Sequence, residues 1–316
     1  MKRVLITGAT SGVGKDLARR LALEDDFDRI QVGCRDIAKG EAAVRDLQMA
    51  TGRHVFEPVV VDLADLSSVN TAIRTLEGPL HTVVLNAGGT GGGTPMKLTV
   101  DGVTEIFASN VLGHVALLER LLAEGTLTHA AVMTGSEAAR GVRQLRIPRP
   151  IFAAHSVNEF ASVIDGSIFG ERPNAMAAYG QVKYLGALWL AATARKFPTL
   201  RFVTMSPGNT SGTNVLRNLP APIRTLAQRF VFPVVLPAFG LAHPLATGSQ
   251  RLAAAVSDES LCGGVFYASA ADKLTGPVVD QATIVPDFRD PEIQDRADEA
   301  IHRFLPADFG EPSTNA

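Results

Sequence analysis

The chain has 316 residues, with Lys+Arg 30 against Asp+Glu 32 and a formal net charge of −2. Hydrophobic residues make up 46% and charged residues 20%, with 29 Gly and 18 Pro. These values exclude a disordered chain, a coiled coil and a collagen-like repeat, and they give no electrostatic case for nucleic acid as a partner.

Apolar Arg3–Ile6 reads as a first strand. Thr7-Gly8-Ala9-Thr10-Ser11-Gly12-Val13-Gly14 follows it directly, and Lys15–Leu23 carries apolar residues at helical spacing. Ile30–Gly33 is a second strand and Lys39–Met49 a second helix; Val59–Val61 and Leu66–Leu76 repeat the pair. Thr82–Leu85, the long helix Val103–Leu122 and the strand Ala130–Met133 come next. Met176–Lys196 is another long helix, Phe202–Met205 a sixth strand and Val265–Tyr267 a last one. Strands that alternate with helices and are apolar throughout predict a parallel sheet covered on both faces. The expected fold is a doubly wound Rossmann-type α/β sheet in one domain. Two insertions, Glu137–Ala175 and Asn214–Pro244, are expected above the carboxyl ends of the strands, the second as a substrate lid, and 286–316 as a C-terminal tail.

A glycine loop between a strand and a helix suits a pyrophosphate, because small residues allow close approach and the helix N-terminus offers free amides. Gly8, Thr10, Ser11, Gly12, Val13 and Gly14 are the candidate contacts. About 20 residues further on, where the ribose is read, stands Gly33-Cys34-Arg35-Asp36. Arg35, with Lys39 one turn later, suits the 2′-phosphate of NADP better than a ribose hydroxyl; Asp36 as the true reader is the alternative, favouring NAD. No His pair has ligand spacing with a carboxylate, so no metal is expected. Two cysteines, Cys34 and Cys262, are too few for a disulfide framework and point to a reducing compartment. The three apolar residues Val4–Ile6 fall short of a signal sequence, and no apolar run spans a bilayer. Phe230–Leu241 comes nearest but is broken by Pro233, Pro237 and Gly240, which suits a pocket lining. A cytoplasmic protein is the resulting expectation.

Thr7-Gly-x-x-x-Gly12-x-Gly14, Asn86-Ala87-Gly88, Asn110, Ser136, Tyr179-x-x-x-Lys183 and Ser206-Pro207-Gly208 stand in the order of the short-chain dehydrogenase/reductase superfamily, which this chain resembles from about Lys2 to Tyr267. The resemblance implies that Tyr179 exchanges the proton with the substrate oxygen and that Lys183, on the same helix face, lowers its pKa toward the working range and bonds the nicotinamide ribose. It implies that Ser136 holds the substrate oxygen, with Thr134 as rival, and that Asn110 supports Lys183 through a water. Asp62 and Leu63 would meet the adenine, and Asn86, Ala87, Gly88, Pro207 and Gly208 would line the cofactor. Thr210 and Thr213 are both candidates for the nicotinamide amide.

Leu98-Thr99-Val100-Asp101-Gly102 and Asn110-Val111-Leu112-Gly113-His114 resemble retinol dehydrogenases and light-dependent protochlorophyllide reductases, as do Arg251–Asp258 and Gly264–Tyr267 the latter. One position departs: the reductases carry a cysteine where this chain has Leu185. The resemblance implies an NADP(H)-dependent oxidoreductase working between carbonyl and alcohol on a bulky apolar substrate. The alternatives are reduction of a carbon–carbon double bond and a non-catalytic NADP-binding protein. Expected partners are the small-molecule substrate and, for self-association, a homodimer.

Overall fold

The computed structural model describes residues 1–170, 174–210, 242–306 and 309. In chain order the main elements are β1 Arg3–Ile6, α1 Gly12–Glu24, β2 Arg29–Cys34, α2 Ile37–Thr51, β3 Phe56–Val60, α3 Leu66–Thr75 and β4 Leu80–Leu85. The helix α4 spans Glu105–Ala123, and β5 Leu127–Thr134, α5 Val157–Ile164, α6 Ala175–Lys196 and β6 Arg201–Met205 follow. α7 Leu245–Ser257, β7 Val265–Ser269, β8 Val278–Asp280 and α8 Pro291–His302 complete the set.

Apolar residues on both sides of the central strands dictate the layering. Successive side chains of a strand point to opposite faces. Val4 and Ile6 of β1 enter one core and Leu5 the other; Val84 of β4 parts in the same way from Val83 and Leu85. The first core is closed by α1, α2 and α7, through Leu17, Leu21, Leu47 and Leu252 among others. The second is closed by α3, α4, α5, α6 and α8, through Val69, Val115, Phe160, Trp189 and Ile301. The sheet has eight strands in the order β3-β2-β1-β4-β5-β6-β7-β8. The order reverses between β1 and β4, and ligands bind at such a switch point, outside the carboxyl ends of the strands.

Four expectations need correction. The sheet is not wholly parallel, because β8 pairs antiparallel with β7. The expected tail from 286 contains α8, which has Asp290 as N-cap and Pro291 at its start and buries Ala297, Ala300 and Ile301. The expected helix Val103–Leu122 starts at Glu105 and holds a π-helical segment, Ala108–Leu112. Finally, α4 is long and apolar enough to cross a membrane by length and composition, although Glu119 and Arg120 interrupt its apolar run; 78% of that stretch is buried within the protein. The insertion Glu137–Ala175 packs in part into the core. Phe152, Phe160 and Ile164 belong to the second core, Phe169 packs against it and Ile151 is exposed. Nearly all of Asn214–Pro244, including Phe230–Leu241, lies outside the described residues.

Candidate active site

The glycine loop closes onto β4 at the switch point. Gly8 has φ +65°, and a Cβ there would lie 2.9 Å from Ala87 Cα. A Cβ on Gly14 would collide with Asn86 Nδ2 and lie 2.7 Å from the Gly8 carbonyl. Both positions therefore demand glycine for contact reasons. Asn86 Nδ2 donates to the Thr7 carbonyl at 2.8 Å, and the amides of Asn86 and Ala87 donate to the Thr7 hydroxyl at 2.8 and 2.9 Å. Ser11, exposed, is the N-cap of α1 but makes no side-chain cap bond. The α1 amides and the half-buried Thr10, Gly12 and Val13 thus border an approach that no capping side chain blocks.

Behind this loop the Thr7 hydroxyl lies 2.9 Å from His114 Nε2, and His114 Nδ1 lies 3.2 Å from the Asn110 carbonyl. A carbonyl can only accept, so Nδ1 carries the proton and the Thr7 hydroxyl donates to Nε2. Burial pushes the His114 pKa down to about 3 and keeps the ring neutral. His114 is thus a link in the scaffold, not a metal ligand; among the described residues no cluster suits a metal ion.

The expected catalytic residues converge from three elements. Tyr179 and Lys183 face the same way from the second and third turns of α6, whose N-cap Asn174 accepts from the amides of Met176 and Ala177. Lys183 Nζ sits 5.7 Å from the centre of the Tyr179 ring and donates to the Thr134 carbonyl at 3.0 Å. Ser136, at the end of β5, hydrogen-bonds Tyr179. The Thr134 hydroxyl donates to Asn86 Oδ1 at 3.3 Å instead. Asn110 projects from the π-helical segment of α4. Its Nδ2 donates to the Gly89 and Ile106 carbonyls, both at 2.8 Å, and its Oδ1 accepts from the Gly89 amide at 3.0 Å. Gly88 lies between the two: a Cβ there would collide with Asn110 Oδ1 and lie 3.5 Å from Lys183 Nζ.

The electrostatics differ from the sequence-based expectation for Tyr179. Burial pushes its pKa up to about 12, with the nearby Glu137 charge adding to the rise and the Ser136 hydrogen bond opposing it. Burial lowers Lys183 to about 8. Desolvation of the phenolate outweighs the expected help from the ammonium. Tyr179 is a protonated acid and Lys183 a cation at neutral pH.

On the ribose side Arg35 is exposed at the end of β2. The Asp36 side chain is committed as the N-cap of α2, accepting from the Lys39 amide at 3.3 Å, and pairs with Lys39 Nζ at 3.4 Å. The Asp62 carboxylate accepts from the Ala64 amide within its own loop, and Leu63 is buried against Gly113. Pro207 and Gly208 are half-buried, whereas Thr210 is buried and its methyl group meets Gly248 of α7. Thr213 lies outside the described residues. An apolar cluster of Ala138, Val142, Ile147 and Leu274 packs with Met176 against the Tyr179 ring. Ala138, Val142 and Ile147 are the residues of the first insertion in this cluster. Glu137, the neighbour of Ser136 in the chain, is buried, as are Arg140 and Arg251, and none of the three carries a sequence signal that marks it as part of this region.

Residues 2–140 match the short chain dehydrogenase family. Retinol dehydrogenase 11 of Mus musculus is 36% identical over 124 residues, which is 38% of this chain and 38% of that protein. A WW domain-containing oxidoreductase of Pongo abelii is 28% identical over 287 residues, 87% of this chain and 59% of its own length. These alignments leave much of each relative uncovered. Among solved structures, salutaridine reductase from Papaver somniferum superposes with a TM-score of 0.59, covering 84% of this chain and 99% of that one at 16% identity, a likeness of fold. With the glycine loop at the switch point of the sheet and Ser136, Tyr179 and Lys183 brought together at its carboxyl edge, the chain matches the short-chain dehydrogenase family over residues 2–140 and resembles its retinol dehydrogenase branch.

Proposed function

We propose that the chain is an oxidoreductase that uses NADP(H) to interconvert a carbonyl and an alcohol on a bulky apolar substrate. The observation that carries this reading is the grouping of a protonated Tyr179, hydrogen-bonded to Ser136 and overlain by Lys183, at the edge of an apolar cluster. The cradle fits a dinucleotide. Gly8 and Gly14 have no room for a side chain, and α1 begins without a side-chain cap where a pyrophosphate would need its amides. Arg35 and Lys39 would hold the 2′-phosphate; Asn86, Ala87, Gly88, Pro207 and Gly208 would line the nicotinamide side, with Lys183 on the ribose. When bound, the reduced cofactor supplies the hydride. Tyr179 then gives its proton to the oxygen that gains charge, and Ser136 donates a hydrogen bond to the same oxygen. The Lys183 ammonium stabilises the phenolate left behind. Ala138, Val142, Ile147, Met176 and Leu274 would exclude water around the reacting carbonyl and favour apolar substituents.

The test is NADPH consumption over a panel of aldehydes, ketones and steroids, with Tyr179→Phe beside the wild type. The variant should bind NADPH as well as the wild type and lose ~10²–10⁴-fold in turnover, the range for a lost acid–base group. Near-wild-type turnover in Tyr179→Phe, or a wild type that reduces no carbonyl, overturns the reading.

A further inference from the structure

Behind Ser136 lies a buried charged cluster that proton transfer as described does not use. Glu137 is the next residue in the chain and is 3% exposed. Its Oε2 accepts from the Ser206 hydroxyl at 2.6 Å; its Oε1 accepts from the Ser269 amide at 3.1 Å and hydroxyl at 2.9 Å. Arg251 Nη1 lies 3.6 Å from Oε1, and the same guanidinium donates to the Ser206 and Gly276 carbonyls at 3.4 and 2.5 Å. The Ser206 oxygen accepts in turn from the Gly208 amide at 3.0 Å. Arg140, one turn after Glu137, donates to the Ser269, Ala270 and Lys273 carbonyls at 3.2, 3.0 and 2.6 Å. His243 also borders Arg251 across Gly208, and burial beside that cation lowers its pKa.

One carboxylate therefore joins the carboxyl ends of β5, β6 and β7. On one side its own backbone begins the short helical turn that Ser136 caps, with the Ser136 hydroxyl accepting from the Ala138 amide at 3.2 Å. On the other side the route Glu137–Ser206–Gly208 reaches the loop that lines the cofactor in the proposed function. The guanidinium of Arg251 supplies the opposite charge a buried carboxylate requires.

We propose that Glu137 is a positioning residue for the reaction, which sets Ser136 on the substrate side and the Gly208 amide on the cofactor side at a fixed distance from each other. This rests on the oxidoreductase reading above. Glutamine has nearly the shape of glutamate, but its amide nitrogen donates where the carboxylate accepts. In Glu137→Gln the Ser206 hydroxyl has to turn, which disturbs the geometry in which its oxygen accepts from the Gly208 amide, and Arg251 loses its counter-charge. Misplacement of reacting groups by about 1 Å can cost ~10²-fold in rate.

The experiment compares wild type, Glu137→Gln, Ser206→Ala and the double variant, in the full chain, for kcat and KM with a carbonyl that the wild type reduces. Glu137→Gln should lose ~10²-fold in kcat with a smaller change in KM. Ser206→Ala should lose in the same direction, and the double variant should be no worse than Glu137→Gln, because both act on one linkage. Wild-type kcat in Glu137→Gln, a loss confined to melting temperature, or losses that multiply in the double variant overturn the proposal. If Glu137→Gln does not fold, Ser206→Ala decides: unchanged kcat refutes the linkage. A wild type without carbonyl turnover refutes the oxidoreductase reading itself, which separates the two failures.

Discussion

Cys34, Arg35 and Asp36 occupy adjacent positions at the end of β2 and have different fates. The Cys34 thiol is buried and donates to the Val59 carbonyl at 3.5 Å, with burial raising its pKa. Asp36 is fixed by capping α2, and the Lys39 amide and ammonium hold its pKa below the usual carboxylate range. Arg35 remains as the side chain able to meet a phosphate. NADPH should therefore bind more tightly than NADH, and Arg35→Ala should remove most of the difference; titration of both cofactors against both proteins checks it, and equal affinities in the wild type refute it. Lys183 supplies a second outcome. Its amine is lowered to about 8, so the ammonium that the phenolate needs is lost as pH rises through about 8. The kcat/KM profile should fall on its alkaline side in that region, far below the ordinary lysine value of 10.5. Tyr179 and Lys183 stood out in the sequence through the resemblance, and their spacing in one helix then put them on a common face. Glu137 did not, since its partners Ser206 and Ser269 lie 69 and 132 residues away and a single Glu says nothing about its burial.

At the scale of elements, the strand–helix alternation was legible because the strands β1, β4 and β5 are apolar on both faces. The π-helical segment of α4 was not. Ala108–Leu112 has the composition of ordinary helix, and what draws Asn110 out of the α-helical path is the Gly88-Gly89 backbone, distant in sequence. The insertion Glu137–Ala175 divides similarly. α5 has a capping box between Ser156 and Glu159 and docks through Phe160, whose ring meets Phe152 edge-on at 5.0 Å. Ile147, by contrast, belongs to the small cluster at Tyr179. Phe160→Ala should cost about 3–5 kcal/mol of stability by leaving a cavity. Ile147→Ala should cost less stability and raise KM for large apolar carbonyls more than for small ones. Chemical denaturation and the substrate panel measure the pair; a KM effect of Ile147→Ala that is equal for all substrates counts against an apolar wall.

For the whole molecule, α8 fastens the C-terminal part onto α4. His302 Nε2 lies 2.6 Å from Glu119 Oε1, and that hydrogen bond raises the imidazole from 6.5 to about 9, with Asp298 adding to the effect. The folded protein thus holds this proton more tightly than the unfolded chain. The stabilisation is complete below about 6.5 and is lost as pH rises from there through about 9. The side chain is 35% exposed, so solvent screening limits the gain to about 1 kcal/mol. Denaturation of wild type and His302→Gln should differ at the acid end of that window and converge at the alkaline end. Neither α8 nor β8 was legible, because both are short, polar on one side and held mainly by distant neighbours. β8 has a further consequence. It is three residues long, and just past it Gln281 donates to the Ala268, Ser269 and Val279 carbonyls at 3.0, 3.2 and 3.0 Å. At the opposite border β3 carries Pro58, which has no N–H to offer. Both borders are thereby poor templates for an incoming strand. Through these two borders the fold resists edge-to-edge stacking into fibrils.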